Sequence, residues 1–85
     1  MKKRRPERIK QYESPLYKEL QQRLSATLRR MRAESDWSQE RAAQECDMST
    51  RLYQRCEAGT SNVTLTTLAR ICSGFEVDPT DLWKK

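Results

Sequence analysis

Leu16, Leu20, Leu24, Leu28 and Met31 recur at spacings of four and three, the interval at which side chains return to one side of an α-helix. Ser14-Pro15 stands just before the series. A serine hydroxyl caps a helix start well, and a proline opens one without losing a needed N–H. The pattern predicts a first helix of about 20 residues ending near Ser35 and Asp36, with Tyr17 beside the apolar stripe.

Trp37 follows as an apolar anchor, and Ser38 predicts the cap of a second helix over 39–46. Glu40 lies in its first turn, where negative charge suits the helix dipole. Ala42, Ala43 and Cys46 are small apolar residues that let another helix approach closely. Asp47-Met48 reads as a short break, since aspartate tolerates left-handed backbone. Ser49 then caps a third helix over 50–58 that stops at Gly59. After the polar Thr60-Ser61-Asn62, Thr64 is the expected cap of a fourth helix, with Leu65, Leu68, Ile71, Cys72 and Phe75 on one face. Asp78 and Pro79 open a fifth, and Val77 is placed to staple onto Leu82. Five helices, short loops and no strand signal give an all-α fold, a compact five-helix bundle. It is expected to span 14–85, after an irregular arm over 1–13.

Charge adds to this picture by its distribution. The net charge is +5, and residues 1–10 hold six bases (Lys2, Lys3, Arg4, Arg5, Arg8, Lys10) against Glu7. The remaining chain is balanced. The arm therefore carries the basicity, as a solubilising tail or as a phosphate contact made by releasing counterions. Lys2, Lys3, Arg4 and Arg5 are the candidates for that contact. Eighty-five residues hold one small core and leave no room for a second, catalytic domain. There is no histidine, no paired-carboxylate motif and no glycine-rich phosphate loop, so an enzyme is not expected. Cys46, Cys56 and Cys72 form no C-x-x-C pair, so neither a zinc site nor any other metal or cofactor is expected. An odd cysteine count without a signal peptide fits a cytoplasmic protein, and no apolar run is long enough to span a membrane.

The third helix divides into two faces. At about 100° per residue, Thr50, Arg51, Gln54 and Arg55 fall together, and Leu52, Tyr53 and Cys56 fall about half a turn away. The first set contains no acid. Arginine forks onto guanine O6/N7, glutamine pairs with adenine N6/N7, and threonine contacts bases or the thymine methyl. An ordinary solvated face would look the same in isolation. Two short helices in tight succession, the second bearing this face, point instead to base reading.

The run Ser38-Gln39-Glu40, Ala43, Met48-Ser49, Tyr53 and Cys56-Glu57-Ala58-Gly59, followed by Leu65, Leu68, Ile71, Phe75, Val77 and Leu82, resembles the Cro/C1 repressor type of helix-turn-helix. This is also called the xenobiotic-response-element family and is built like the lambda-repressor DNA-binding domain. The resemblance covers about residues 24–83. It implies a bundle of five helices that regulates transcription in a bacterial or phage setting, with the third helix in the major groove and the start of the second on the backbone. Thr50, Arg51, Gln54 and Arg55 match base-reading positions. Gln39, Ser49, Thr60, Ser61 and Asn62 match positions that hold phosphates, which set register rather than read sequence. Glu57 matches a frequent structural glutamate. Family members commonly dimerise on palindromic operators, so a homodimer on duplex DNA is expected, with Phe75, Leu82 and Trp83 as interface candidates. Trp83 could equally close the monomer core, and the helix-1 extension from Leu16 to Leu24 is a second interface candidate.

The chain departs from the family at several positions. Ala42 stands where leucine is favoured, Asp47 where glycine is, Tyr53 where a β-branched residue is usual, and Val63 where many members place proline. Tyr53 could fill the volume Ala42 vacates. Asn62-Val63-Thr64-Leu65 is similar to the controller proteins of restriction–modification systems. Two other readings stay open: an antitoxin that neutralises a toxin partner and autoregulates, and a domain of this fold used for protein contacts, with polymerase among the partners to consider. The balanced charge of the body keeps the latter in view.

Overall fold

The computed structural model describes residues 14–83, so the arm and its Lys2, Lys3, Arg4 and Arg5 lie outside the described residues. Within them are four α-helices and one 3₁₀ turn, with no strand. The helices are α1 (Pro15–Ser35), α2 (Gln39–Glu45), α3 (Thr50–Ala58) and α4 (Leu65–Phe75). The expected fifth helix is a 3₁₀ turn at Pro79–Trp83, which corrects the five-helix count while leaving the all-α class intact. Five residues are too few for a stable α-helix. Asp78 instead tightens the turn: its Oδ1 accepts from the Thr80 N–H at 2.8 Å, and its carbonyl accepts from the Asp81 N–H at 2.8 Å.

Every α-helix starts on the expected cap. Ser14, Ser38 and Ser49 accept at 3.0 Å from the backbone N–H three residues on, and Thr64 does so at 3.2 Å. Each such cap typically contributes ~1 kcal/mol. The helix ends share a geometry as well. Asp36, Asp47, Gly59 and Glu76 all have positive φ, and the following residue in each case bonds back to a carbonyl five residues earlier. This is the Schellman stop, which glycine makes most easily. Three of the four sites use a side-chain-bearing residue, and only Asp47 and Gly59 carried a sequence signal for it.

The core gathers Leu24, Leu28 and Met31 of α1, Ala42 and Ala43 of α2, Tyr53 and Cys56 of α3, Ile71 of α4, and Leu82. The small residues of α2 do permit close approach. Gly74, inside α4, lies so near α2 that a Cβ there would meet the Cys46 Sγ at 2.6 Å and the Glu45 carbonyl at 2.7 Å. Glycine mid-helix costs roughly 1 kcal/mol against alanine, and here that cost brings two helix backbones together. Ala42 and Tyr53 are both fully buried in this one cluster.

Three expected core leucines stand in solvent. Leu65 is 83% exposed: it opens α4 six residues before Ile71, about 120° around the helix from that buried side chain. Leu16 and Leu20 are 64% and 42% exposed, because α1 runs on past the elements that cover its C-terminal half.

Candidate nucleic-acid interface

The third helix shows the two faces expected of it. Tyr53, Cys56 and Glu57 are buried, whereas Arg51, Gln54 and Arg55 are exposed and Thr50 is half-buried at the first turn. The outward face contains no acid, so it sets no negative charge of its own against a negative ligand.

What holds α3 at this angle is a polar seam along α1. Ser25 Oγ donates to the Glu57 carbonyl, which also accepts from Arg29 at 2.9 Å. One turn further, Arg32 grips the Glu57 carboxylate with two nitrogens, at 2.5 and 3.1 Å. Tyr53 Oη donates to the same carboxylate at 2.7 Å and Gln39 Nε2 at 3.0 Å. Arg32 also donates to the Trp37 carbonyl at 3.1 Å, tying in the turn before α2. A buried carboxylate is tolerated only when paired and hydrogen-bonded in this way. Among the described residues no buried side-chain nitrogen or oxygen lacks a partner.

The same glutamate reaches the outer face through one side chain. Gln39, at the start of α2, donates to Glu57 and accepts from Gln54 Nε2 at 3.2 Å. The structure therefore joins a residue expected on phosphate, Gln39, to a residue expected on bases, Gln54. Both are rooted in a buried ion pair.

Titration follows the geometry. Burial alone pushes the Glu57 carboxyl up, but the hydrogen bonds from Arg32, Tyr53 and Gln39 outweigh it and hold the group below the usual carboxylate range. The hydrogen bond with Glu57 raises Arg32, and burial followed by that carboxylate raises Tyr53 well above its ordinary value. Burial pushes the Cys46 thiol up to about 11 and raises Cys56 and Cys72 as well. Thiols held protonated are poor nucleophiles and ligands. No cluster of three or more metal-ligating side chains occurs among the described residues, and no helix there is long and apolar enough to cross a membrane.

The remaining expected contacts divide. Ser49 and Thr60 are exposed. The Ser49 hydroxyl accepts as the α3 cap, and that of Thr60 donates to the Arg55 carbonyl at 3.3 Å. Asn62 is exposed and bonded to Tyr17. Ser61 is buried, and its carbonyl accepts from Gln21 at 2.9 Å, so its side chain offers little surface to a phosphate. The interface candidates divide too. Leu82 is fully buried inside the monomer and has no surface to share. Phe75 tilts against Trp37 at 5.2 Å between ring centres. Trp83 is half-buried and donates from Nε1 to the Leu20 carbonyl at 3.1 Å.

A short helix with an exposed polar face, set behind a tight turn and a supporting helix, defines a helix-turn-helix architecture. A family model described as a helix-turn-helix domain matches residues 23–83, and the chain belongs to that family. This agrees with the resemblance to Cro/C1-type proteins, whose domains bind DNA in transcription regulators. No curated protein and no solved structure matches the chain in the corresponding comparisons.

The polar seam was the part sequence reasoning missed. Its signal was present: Tyr17, Gln21, Ser25, Arg29 and Arg32 repeat at four, four, four and three, one position after each residue of the apolar stripe.

Proposed function

We propose that the chain is a sequence-specific regulator that reads the major groove of duplex DNA with α3. The observation that carries this reading is the acid-free face of Arg51, Gln54 and Arg55, which stands clear of the core on a helix anchored from behind by Glu57. In this reading the arginines fork onto guanines, Thr50 and Gln54 contact neighbouring bases, and Gln39, Ser49, Thr60 and Asn62 engage phosphates. The bases of residues 1–10 add sequence-independent attraction. One α3 spans only a few base pairs, and each mismatch costs roughly 1–3 kcal/mol, so two copies on a palindromic operator supply the missing discrimination.

The test is a DNA selection with the purified chain, followed by Arg51→Ala and Arg55→Ala on the selected site. Each variant is expected to lose roughly 1–3 kcal/mol of affinity and to relax discrimination at particular base pairs. Unchanged affinity and specificity in both, with normal circular dichroism, would remove α3 from the reading role.

A further inference from the structure

Two turns of α1 precede the residues matched by the family, which begin at 23. Their polar side is occupied. Gln21 Nε2 donates to the Ser61 carbonyl at 2.9 Å and to Tyr17 Oη at 3.4 Å, and Tyr17 Oη donates to Asn62 Oδ1 at 3.2 Å. Both residues thus hold the segment that leads from α3 to α4. The segment is also fixed at its start by the left-handed Gly59.

The polarity of this relay has a chemical consequence. Gln21 supplies a proton to the Tyr17 oxygen, which leaves the Tyr17 hydroxyl proton to be directed elsewhere. That proton goes to the carbonyl oxygen of the Asn62 amide. An amide has an accepting end and a donating end. With Oδ1 engaged by Tyr17, the two N–H groups of Nδ2 are the end left to an outside partner. A phosphate oxygen only accepts, so an asparagine turned the other way would oppose it with its own lone pairs.

We propose that Tyr17 is a positioning residue for DNA binding: by accepting from Gln21 and donating to Asn62 it fixes the Asn62 amide with its NH₂ toward the phosphate backbone. The proposal rests on the reading of this chain as a duplex-DNA binder and adds to it two residues outside the family-matched segment. Tyr17 does not touch the nucleic acid; it acts through Asn62. Its contribution falls on phosphate contact, so it sets affinity without changing which bases are preferred.

The experiment uses the full chain, with Tyr17→Phe, Asn62→Ala and the double variant. Tyr17→Phe keeps the ring and removes one oxygen, and circular dichroism checks that the fold survives. In the free protein the side-chain amide resonances of Asn62 should shift on Tyr17→Phe. With DNA, Tyr17→Phe should weaken binding about five-fold, equally on the selected site and on a scrambled duplex, as expected for loss of one charge-assisted hydrogen bond. The slope of log K against log salt should stay that of the wild type in all three variants, since a neutral amide releases no counterion. The double variant should bind no worse than Asn62→Ala alone. Multiplicative losses in the double variant, or an Asn62 amide unmoved by Tyr17→Phe, would overturn the relay. A wild-type chain that binds no duplex even at low salt would instead remove the reading of α3, while the Asn62 resonance, measured without DNA, still decides the hydrogen bond.

Discussion

The C-terminal half of α1 presents Leu24, Leu28 and Met31 to the core, where all three are buried. The N-terminal half carries Leu16 and Leu20 at the same spacing, and these are 64% and 42% exposed. The two halves do not differ in helix-forming pattern. They differ in what lies opposite. The C-terminal half sets its three buried residues beside Tyr53, Cys56 and Leu82, while the N-terminal half is held by Tyr17 to Asn62, Gln21 to Ser61 and the Leu20 carbonyl to Trp83, with Leu20 bordering an apolar groove beside that ring. Apolar periodicity reports that a helix has a side to offer. It does not report how far along that side a partner extends. In this molecule burial stops midway along α1, and the hydrogen-bonded seam carries on to its start.

The largest effect should come from the buried half. Leu28 is completely enclosed, so Leu28→Ala removes transfer energy and leaves a cavity, an expected loss of about 3 kcal/mol or more. Urea denaturation followed by circular dichroism measures it. A loss under about 1 kcal/mol would mean that the core collapses around the gap, and the contrast between the halves would then be weaker than the exposures imply.

Next in size is the polar seam at the same level of α1. Glu57→Gln leaves Arg32 without its carboxylate in a half-buried site. Breaking a buried pair costs about 3–5 kcal/mol, and the solvent exposure of Arg32 brings the expected loss nearer 2 kcal/mol at pH 7. The pH dependence fixes the cause. The folded-state pKa of Glu57 is depressed, so its contribution is complete above the unfolded value of roughly 4.3 and is lost as pH falls through the lower folded value. The stability gap between wild type and Glu57→Gln should therefore be constant from pH 7 down to about 5 and narrow in more acid solution. A gap independent of pH to the acid limit would assign the loss to packing.

These residues also show where the sequence was legible. All four helix caps and the α3 faces follow from local chemistry: a hydroxyl three residues before an N–H, and a period of 3.6 on nine residues. The core positions of Leu24, Leu28 and Ile71 follow from the same period, whereas Leu82, expected at an interface between copies, is buried in the monomer. Three kinds of feature did not. Leu65 was assigned to the wrong face because it keeps the apolar repeat of Leu68, Cys72 and Phe75, whereas burial on α4 is centred on Thr67 and Ile71. Asp36 and Glu76 end their helices in left-handed backbone without the glycine or asparagine that announces it. Glu57 read as structural only through the family resemblance. Its partners lie 25 residues away at Arg32 and 18 away at Gln39, and a long-range ion pair leaves no local pattern. Within the candidate interface, the outward set on α3 was readable from amphipathicity. Ser61 was not, since its burial depends on the depth at which the loop passes α1.

Trp83 lies between the two halves and should give an intermediate effect. It lines an apolar groove of about 130 Å³ with Leu20, Leu24, Val63 and Leu68, and it bonds to the Leu20 carbonyl. Trp83→Ala removes a large but only half-buried ring, so the expected loss is about 2 kcal/mol, below the roughly 3–5 kcal/mol of a fully buried aromatic. Light scattering with and without a palindromic duplex separates this monomer cost from assembly. A variant that melts lower yet still pairs on DNA would make Trp83 a closing residue of the core. A variant that keeps its melting temperature and no longer pairs would make it an anchor between copies.

The smallest effect should come from the exposed end. Leu16 is mostly exposed, and surface substitutions away from caps and networks usually stay within about 0.5 kcal/mol. Leu16→Ala should therefore leave the denaturation midpoint nearly unchanged, and alanine's higher helix propensity could even add a few tenths of a kcal/mol. The measurement is worth making because Leu16 and Leu28 are twelve residues apart in one uninterrupted repeat, and only their surroundings distinguish them. Equal losses in both variants would contradict the exposed position of Leu16 and require something to cover it. A near-zero loss at Leu16 beside a large one at Leu28 locates the end of the apolar core between them. The start of α1 at Leu16 then has no packing role, and its hold on the loop below α3 rests on Tyr17 and Gln21.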